Sequence, residues 1–160
     1  MLEKNLTFEV PLFLREVNQE DCRFIYDLRN NPVARRASRN TGEISYDEHK
    51  NWFSSALKDS TKKIYIAVTL AERVGQIRFD KQGEEAEVSI TVDPNKFGKG
   101  YGSRILALGD RRYFDEEKEI TTLCAEIRKD NPSSLRIFEK EGYCLVETKG
   151  DWLRFLLKRS

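Results

Sequence analysis

Three alternating glycines, Gly98, Gly100 and Gly102, lie in the segment FGKGYGS at positions 97–103. Glycine adopts positive φ angles without a steric penalty, so a turn of this kind can bring the backbone close to a ligand. Successive N–H groups of such a turn can point at phosphate oxygens, and the dipole of a following helix adds to the attraction. The glycines therefore predict a site for a ligand that carries a diphosphate group.

The spacing of these glycines differs from that of two common nucleotide-binding motifs. The dinucleotide motif G-x-G-x-x-G would need a third glycine where Ser103 stands, and the P-loop would need a Gly-Lys-Ser/Thr sequence that does not follow. A glycine-rich turn can also be purely structural. A second motif is therefore needed to decide which ligand binds.

That second motif is the segment NPSSLRIFEKEGY at positions 131–143. Asn131 is a typical N-cap, Pro132 suits the first position of a helix, and Gly142 suits the residue that follows the last turn. The segment therefore predicts a short helix with a defined start and a defined end.

The segments around both motifs predict alternating strands and helices. Positions 87–92 alternate apolar and polar residues as in a strand, and positions 120–127 combine β-branched residues with few charges. Between them, Ile105, Leu106 and Leu108 follow the glycine turn at helical spacing. The predicted order is therefore strand, glycine turn, helix, strand and capped helix.

With both motifs in this order, the chain resembles the GNAT superfamily of acetyl-CoA-dependent N-acetyltransferases over residues 11–159. The family pattern Arg/Gln-x-x-Gly-x-Gly corresponds to positions 97–102. The second family pattern corresponds to Asn131, Ser134, Phe138, Gly142 and Tyr143. The resemblance implies acetyl-CoA as the co-substrate. It also implies a mixed α/β (α+β) fold with a mostly antiparallel sheet of six or seven strands, flanked by about four helices.

Two positions depart from the family pattern. Phe97 stands where the family usually has Arg or Gln, so one side-chain contact to the cofactor is absent while the backbone amides remain. Phe138 stands where many members have a tyrosine that protonates the departing thiolate. The resemblance implies that acetyl-CoA contacts Ile90, Thr91, Val92, Phe97, Gly98, Lys99, Gly100, Tyr101, Gly102, Ser103, Asn131, Ser134 and Phe138.

In the family, a neutral amine attacks the thioester carbonyl directly while both substrates are bound, so a base is needed. Glu126, five residues before Asn131, is the first candidate, because ribosomal-protein N-terminal acetyltransferases of this family carry a catalytic glutamate there. The alternative is that Glu126 is a solvent-exposed strand carboxylate. Glu87 is the second candidate, acting through a water chain, and its alternative is a charge at the edge of a hairpin.

Two further groups complete the chemistry that the resemblance implies. A backbone N–H near Thr91 or Val92 would donate a hydrogen bond to the oxyanion and stabilise it. Tyr143 is a candidate proton donor, although an aromatic residue after the stop glycine also suits a core position. The thiolate can instead leave unassisted or take its proton from water, because a thiol pKa of ~8.5 makes it a tolerable leaving group.

The segments at positions 27–38 and 44–53 resemble bacterial amino-sugar acetyltransferases related to the pseudaminic acid pathway, which acetylate the 4-amino group of a UDP-linked deoxy sugar. The expected partner is thus a small-molecule amine, a nucleotide-linked amino sugar. Arginine forks suit a nucleotide diphosphate, although a solvated basic loop has the same composition. A lone histidine on a helix equally suits a packing position. The predicted substrate-binding residues are Arg29, Asn30, Arg35, Arg36, Arg39 and His49.

Two other functions are compatible with the same motifs. The acceptor could be a protein N-terminus, as in ribosomal-protein acetyltransferases, or a polyamine, which would call for an acidic groove. From a different class, the chain could be a catalytically silent acetyl-CoA-binding module, because Phe138 has no proton to give.

Length and composition narrow the class of protein further. The 160 residues suit a single domain over positions 1–160. The 28 Lys and Arg nearly balance the 27 Asp and Glu, without the basic excess that nucleic-acid binding needs. We expect no signal peptide and no membrane span, because no long apolar run is present. The three cysteines lack the spacing of a disulfide framework or a zinc site and His49 is the only histidine, so we expect no metal and a cytoplasmic location. A homodimer is compatible with all of this.

The N-terminal third of the chain predicts two elements and a connection. A strand is expected at positions 13–17, followed by a helix from Asp21 to Asn30 that Asn18 caps. A polar, basic loop is expected from Asn30 to Asn40. This loop carries most of the predicted substrate-binding arginines.

The middle of the chain predicts a further helix and three strands. Ser45 and Glu48 form a capping-box pattern at the start of a helix that reaches about Leu57. Strands are expected at positions 64–70, 74–80 and 86–92. The last two strands are joined at a turn that contains Gly83, as in a hairpin.

Overall fold

The computed structural model describes residues 9–160, which form seven β-strands and five α-helices. The strands are β1 (Phe13–Glu16), β2 (Lys62–Val68), β3 (Arg73–Gln82), β4 (Glu85–Val92), β5 (Thr122–Arg128), β6 (Cys144–Lys149) and β7 (Trp152–Lys158). The α-helices are α1 (Cys22–Asn30), α2 (Pro32–Ala37), α3 (Tyr46–Lys58), α4 (Tyr101–Glu116) and α5 (Pro132–Glu141). Two short 3₁₀ turns, Gln19–Asp21 and Pro94–Lys96, precede α1 and the glycine turn.

All seven strands belong to one sheet with the order β1-β2-β3-β4-β5-β7-β6. Every neighbouring pair is antiparallel except β4 and β5, which run parallel. This confirms the predicted mostly antiparallel, mixed sheet. The β4–β5 ladder joins only Glu85–Glu87 to Thr122–Cys124. The two strands separate beyond it, so backbone groups at positions 88–92 face an opening in the sheet and are left for another partner.

Helices cover both faces of the sheet. On one face, α4 and α5 pack on a cluster that includes Phe79, Tyr113 and Phe138, and the rings of Phe79 and Tyr113 stack with centroids 4.1 Å apart. On the other face, which we call the α1–α3 face, Ile25 of α1 and Phe53 of α3 pack against β2. Successive residues of β2 contribute to both clusters, because side chains alternate between the two faces of a strand.

The predicted loop from Asn30 to Asn40 is wrong, because Pro32–Ala37, in the middle of it, form α2. Asn31 is the N-cap, with its side chain accepting a hydrogen bond from the N–H of Val33 at 2.9 Å, and Pro32 occupies the first turn. This is the same Asn-Pro signature that predicted α5 from Asn131. The described residues therefore form five α-helices where about four were expected. The additional helix, α2, lies in the segment with the arginines.

Several predicted local features are confirmed. Gly83, with a φ of 65°, lies in the two-residue turn between β3 and β4. Ser45 caps α3 by accepting a hydrogen bond from the N–H of Glu48 at 3.1 Å, and Gly142 ends α5 in the left-handed conformation. Asn18 acts as a cap, but of the 3₁₀ turn that leads into α1 instead of α1 itself.

Candidate active site

The glycine turn connects β4 to the start of α4. Gly98 and Gly100 have φ angles of 79° and 75°, which favour glycine over other residues. Gly100 is the N-cap of α4, and no side chain caps this helix. The first N–H groups of the 16-residue helix α4 therefore lack intrahelical partners and are available to an anion at its positive end.

The helix α5 lies beside this turn. A β-carbon on Gly102 would be 2.9 Å from Cδ1 of Ile137, so Gly102 allows α4 and α5 to come this close. Asn131 accepts a hydrogen bond from the N–H of Ser134 at 3.2 Å, as an N-cap does. The glycine turn, the start of α5 and the opening between β4 and β5 thus meet at one place.

A cavity of about 500 Å³ occupies this place, a volume typical of ligand pockets. Every predicted acetyl-CoA contact lines it except Lys99, which is exposed. The residues that line the cavity fit acetyl-CoA. The uncapped N–H groups at the start of α4 can bind its diphosphate, and the backbone groups where β4 and β5 separate can pair with its amide-containing pantetheine arm. The predicted contacts that line the cavity are Ile90, Thr91, Val92, Phe97, Gly98, Gly100, Tyr101, Gly102, Ser103, Asn131, Ser134 and Phe138.

The opposite wall of the cavity was not predicted. It comes from α1 and α2, through Leu28, Val33, Ala34 and Ala37. The apolar residues of α2 follow one another at helical spacing, which is the signal that could have found them once Asn31-Pro32 is interpreted as a helix start. The segment with the arginines therefore also closes one side of this cavity.

Glu126 lies on β5, beyond the last residue that pairs with β4. Its neighbours Ala125 and Ile127 are buried in the α4–α5 cluster, so its side chain projects to the α1–α3 face. The carboxylate forms ion pairs with Arg39 and, at 3.5 Å, with Arg154 of β7. Glu126 is thus a half-buried carboxylate with two cationic partners at the opening of the sheet.

Glu87, the second candidate base, lies in the paired part of β4, opposite Cys124 of β5. Its side chain is exposed. Since the strands separate only beyond this residue, Glu87 stands farther along the sheet from the cavity than Glu126 does. A bridging water chain would be needed to connect it to the reacting amine.

The hydroxyl of Tyr143 donates a hydrogen bond of 2.8 Å to Asp110 of α4. Both side chains are buried, at 3% and 2% exposure. Burial raises the pKa of Tyr143 above its usual value, and burial raises the pKa of Asp110 to about 8. Phe138 lies between this pair and the cavity, edge-to-face with Tyr143 at 4.9 Å. This geometry argues against Tyr143 as the proton donor, because its hydroxyl points into the core.

The structure separates the four predicted substrate-binding arginines. Burial, together with the positive charges of Arg78 and Arg35, lowers the pKa of Arg29, whose Nη2 donates to the carbonyl of Asn40 at 3.0 Å. Arg35 also forms an ion pair of 2.7 Å with Glu43. Arg39 instead reaches Glu126. Arg36 is exposed.

The other two predicted substrate-binding residues support the local structure. The amide of Asn30 donates to the carbonyl of Ile44 at 3.0 Å and accepts from its N–H at 3.1 Å. His49 is 1% exposed, and its Nε2 lies 3.0 Å from the carbonyl oxygen of Cys22. Burial lowers the pKa of His49. A ligand reaches either side chain only by displacing these contacts.

The chain belongs to the GNAT acetyltransferase family, because the family model described as "Acetyltransferase (GNAT) domain" matches residues 11–143. It is therefore an acyltransferase of a family that uses acetyl-CoA. Two relatives from Campylobacter jejuni, both called Acetyltransferase PseH, are 25% identical over 146 residues and 26% identical over 152 residues. Each match covers 91% of this chain and 90% of the relative.

Solved structures share the fold. The spermidine N-acetyltransferase from Vibrio cholerae, in complex with CoA and spermine, superposes with a TM-score of 0.82 at 18% identity, over 92% of this chain and 95% of the other. The Campylobacter jejuni N-acetyltransferase PseH superposes with a TM-score of 0.71 at 20% identity, over 93% and 99%. At these identities the structural matches show the fold alone.

Two further observations concern the described part of the chain. No helix within residues 9–160 combines the length and the apolar character that crossing a bilayer requires. Over the same residues, no three His, Cys, Asp or Glu side chains come together as a metal site would need.

Proposed function

We propose that this acetyltransferase transfers the acetyl group of acetyl-CoA to the 4-amino group of a UDP-linked deoxy amino sugar. The similarity to Acetyltransferase PseH over most of both chains agrees with the resemblance of positions 27–38 and 44–53 to amino-sugar acetyltransferases. The observation that carries the proposal is the charge balance of the α1–α3 face, from which Glu126 projects.

Three of the four carboxylates that β3, β4 and β5 present on this face are paired with cations; Glu87, placed there by alternation with buried Ala86 and Val88, has no ion pair among the described residues. Asp80 contacts both Lys62 and Arg78 at 2.9 Å. Arg154 lies 3.6 Å from one carboxylate oxygen of Glu85, and Glu126 has the two partners described above. A polyamine needs unpaired acids, because its ammonium groups must replace their water with counter-ions. This face instead suits an acceptor that carries negative charge of its own.

The residues of the site divide the reaction among them. Glu126 takes a proton from the acceptor ammonium, so that a neutral amine attacks the thioester carbonyl carbon. Backbone N–H groups near Thr91 and Val92 stabilise the oxyanion that this attack creates. The carbon–sulfur bond then breaks, the nitrogen of the new amide gives its second proton to water, and the thiolate takes a proton from water, since Phe138 has none to donate. Holding both substrates in line supplies much of the remaining rate enhancement.

Thiol release from acetyl-CoA tests the proposal directly. The purified protein is given a UDP-linked 4-amino sugar, a peptide with a free N-terminus or spermidine at equal concentration, with a no-acceptor reaction as the background. We expect release above background with the amino sugar and not with the other two.

Two results would contradict the proposal. Turnover only with the peptide or with spermidine would assign the chain to the other acceptor classes of its family. Acetyl-CoA binding without thiol release for any acceptor would identify a silent binding module, which is the function that Phe138 alone would favour.

A further inference from the structure

We propose that Leu28 of α1 restricts the transferred acyl group to a short chain, because it closes the end of the cavity where the thioester would lie. This inference deepens the proposed function on the side of the donor. It rests on the proposed position of the reaction beside Glu126, and it holds whichever amine accepts the acyl group.

Leu28 is buried, yet it belongs to neither of the two apolar clusters that the described residues form. Its side chain is 3% exposed, and it lines the cavity together with residues of β4 and the glycine turn. Ile25, one turn earlier in α1, is also buried, but it packs in the cluster of the α1–α3 face. Part of the surface of Leu28 therefore faces the cavity instead of the core.

The wall that Leu28 shares with α2 is closed at Leu28 and open elsewhere. On α2, Val33 is 41% exposed and Ala37 is also exposed. Across the cavity, Phe97 at the glycine turn is 52% exposed. The cavity is thus open beside the turn, where the diphosphate of the cofactor would bind, and closed beneath α1.

The direction of β4 puts the thioester at the closed end. β4 leads into the glycine turn, so a pantetheine arm that starts at the turn and pairs with the free backbone groups of β4 runs from Val92 back towards Ile90. Of the β4 residues that line the cavity, Ile90 is the farthest from the turn. The acyl group at the tip of the arm would therefore lie at this end, away from the diphosphate.

Leu28 approaches this end from the side of the proposed base. Ile90 and Val92 pack on the α4–α5 cluster, so Thr91 between them projects to the α1–α3 face. Helix α1 packs against β4, and Glu126 projects from the same face. Leu28 thus bounds the acyl group on the side from which the amine arrives.

An apolar wall of this kind selects ligands by size. One methylene more or less against such a wall changes binding by about tenfold or more. Leu28→Ala removes three carbon atoms from the wall, whereas a butyryl group exceeds an acetyl group by two methylenes. The variant should therefore make room for the longer chain.

Calorimetric titration with CoA, acetyl-CoA, propionyl-CoA and butyryl-CoA measures this selection without an acceptor. We expect the wild type to bind butyryl-CoA about tenfold or more weakly than acetyl-CoA, and Leu28→Ala to bind the two within about threefold of each other. Leu28→Val is the milder variant, which should gain affinity for propionyl-CoA, and it keeps the test valid if Leu28→Ala does not fold. CoA itself carries no acyl group and should bind all variants equally.

Ile25→Ala is the matched control, because it removes as many carbon atoms from a buried position of the same helix that does not line the cavity. It should keep the wild-type preference for acetyl-CoA. The kcat/KM values for the three acyl-CoA donors, measured with any amine that is acylated, should follow the same order as the affinities.

The proposal is overturned if the wild type binds butyryl-CoA as tightly as acetyl-CoA, or if neither Leu28 variant changes the ratio of these affinities. It is also overturned if Ile25→Ala changes the ratio as much as Leu28→Ala does. A raised KM for the acceptor with an unchanged ratio would make Leu28 a wall of the acceptor site instead.

The two proposals fail separately. A changed ratio of acyl-CoA affinities without amino-sugar acetylation supports the role of Leu28 and removes the proposed acceptor. Amino-sugar acetylation with an unchanged ratio removes the role of Leu28 and keeps the acceptor.

Discussion

Arg39 and Glu126, 87 residues apart in the sequence, form an ion pair across the opening of the sheet. The guanidinium of Arg39 also lies over the ring of Trp152, 4.4 Å from its centroid. Through these two contacts, the segment after α2 is attached to β5 and β7. The candidate base and one wall of the cofactor cavity are therefore joined by a single side chain.

If Glu126 is the base, Glu126→Gln should lower kcat by about 100-fold or more, since a positioned base contributes roughly that much. Acetyl-CoA affinity should not change, because Glu126 does not line the cofactor cavity. The wild-type rate should fall at low pH, as the carboxylate gains a proton, and this acidic limb should vanish in the variant. Glu87→Gln is the comparison, and we expect it to keep its rate. An unchanged pH–rate profile in Glu126→Gln would exclude Glu126, and a large loss in Glu87→Gln would transfer the role.

Replacing Arg39 by Met should move the acidic limb of the pH–rate profile to higher pH. Arg39 stabilises the ionised form of Glu126, so without it the carboxylate accepts a proton more readily. The side chain of Arg39 is 59% exposed, so solvent screens the pair and the displacement should be small. A rise in the KM for the acceptor with an unmoved limb would instead make Arg39 a substrate contact, as its position in the arginine segment had suggested.

Gly100→Val should abolish measurable acetyl-CoA binding. The φ of 75° at Gly100 costs a β-branched residue about 1–2 kcal/mol, and its side chain would enter the cavity. Gly150→Val is the matched control, because Gly150 has a φ of 60° in the turn between β6 and β7, away from the cavity. Neither new β-carbon would clash. We expect both variants to lose similar stability in urea, and equal acetyl-CoA affinity in the two would refute the assignment of the glycine turn.

Asp110→Asn should stabilise the protein increasingly as the pH rises. The pKa of Asp110 is raised to about 8 by burial, whereas its usual value is 3.8. Between these two pKa values, Asp110 keeps a proton in the folded state that it releases in the unfolded state. The free energy of unfolding of the wild type therefore falls as the pH rises, by up to about 1.4 kcal/mol per pH unit. Asparagine does not titrate, and its side-chain oxygen can still accept the hydrogen bond from the hydroxyl of Tyr143.

Urea unfolding at pH 5.5 and pH 7.5 measures this difference between the wild type and Asp110→Asn. Tyr143→Phe is the companion variant, and it should lower stability at both pH values because it leaves the Asp110 carboxyl without its donor. A stability difference between Asp110→Asn and the wild type that is independent of pH would show that Asp110 does not titrate in this range.

Arg159→Met should lower the free energy of unfolding by about 1–3 kcal/mol without affecting acetyl-CoA binding. The Arg159 guanidinium donates to the carbonyl oxygens of Phe114, Ile120 and Glu117 at 2.8 to 3.0 Å, at the C-terminal end of α4. A cation there also interacts favourably with the negative end of the helix dipole. Lys158→Met, at the exposed neighbouring position, should leave stability within about 0.5 kcal/mol of the wild type. Equal stability of the two variants would rule out this role of Arg159.

The local sequence was sufficient to predict several features of the site. The positive φ angles at Gly98 and Gly100, the cap at Asn131 and the stop at Gly142 depend on residues within one turn of each other, and their side chains or lack of them determine the backbone. The same rules apply to Asn31-Pro32, so α2 was also within reach of the sequence.

Only the tertiary structure decided which distant groups meet. The separation of β4 from β5, the pairing of Glu126 with Arg39 and Arg154, and the burial of Tyr143 against Asp110 each join residues far apart in the chain. Sequence patterns report short-range preferences, whereas these contacts depend on how seven strands and five helices pack. Sequence alone therefore determined the family and the glycine turn, and tertiary packing decided which carboxylates are paired and which side chains are buried.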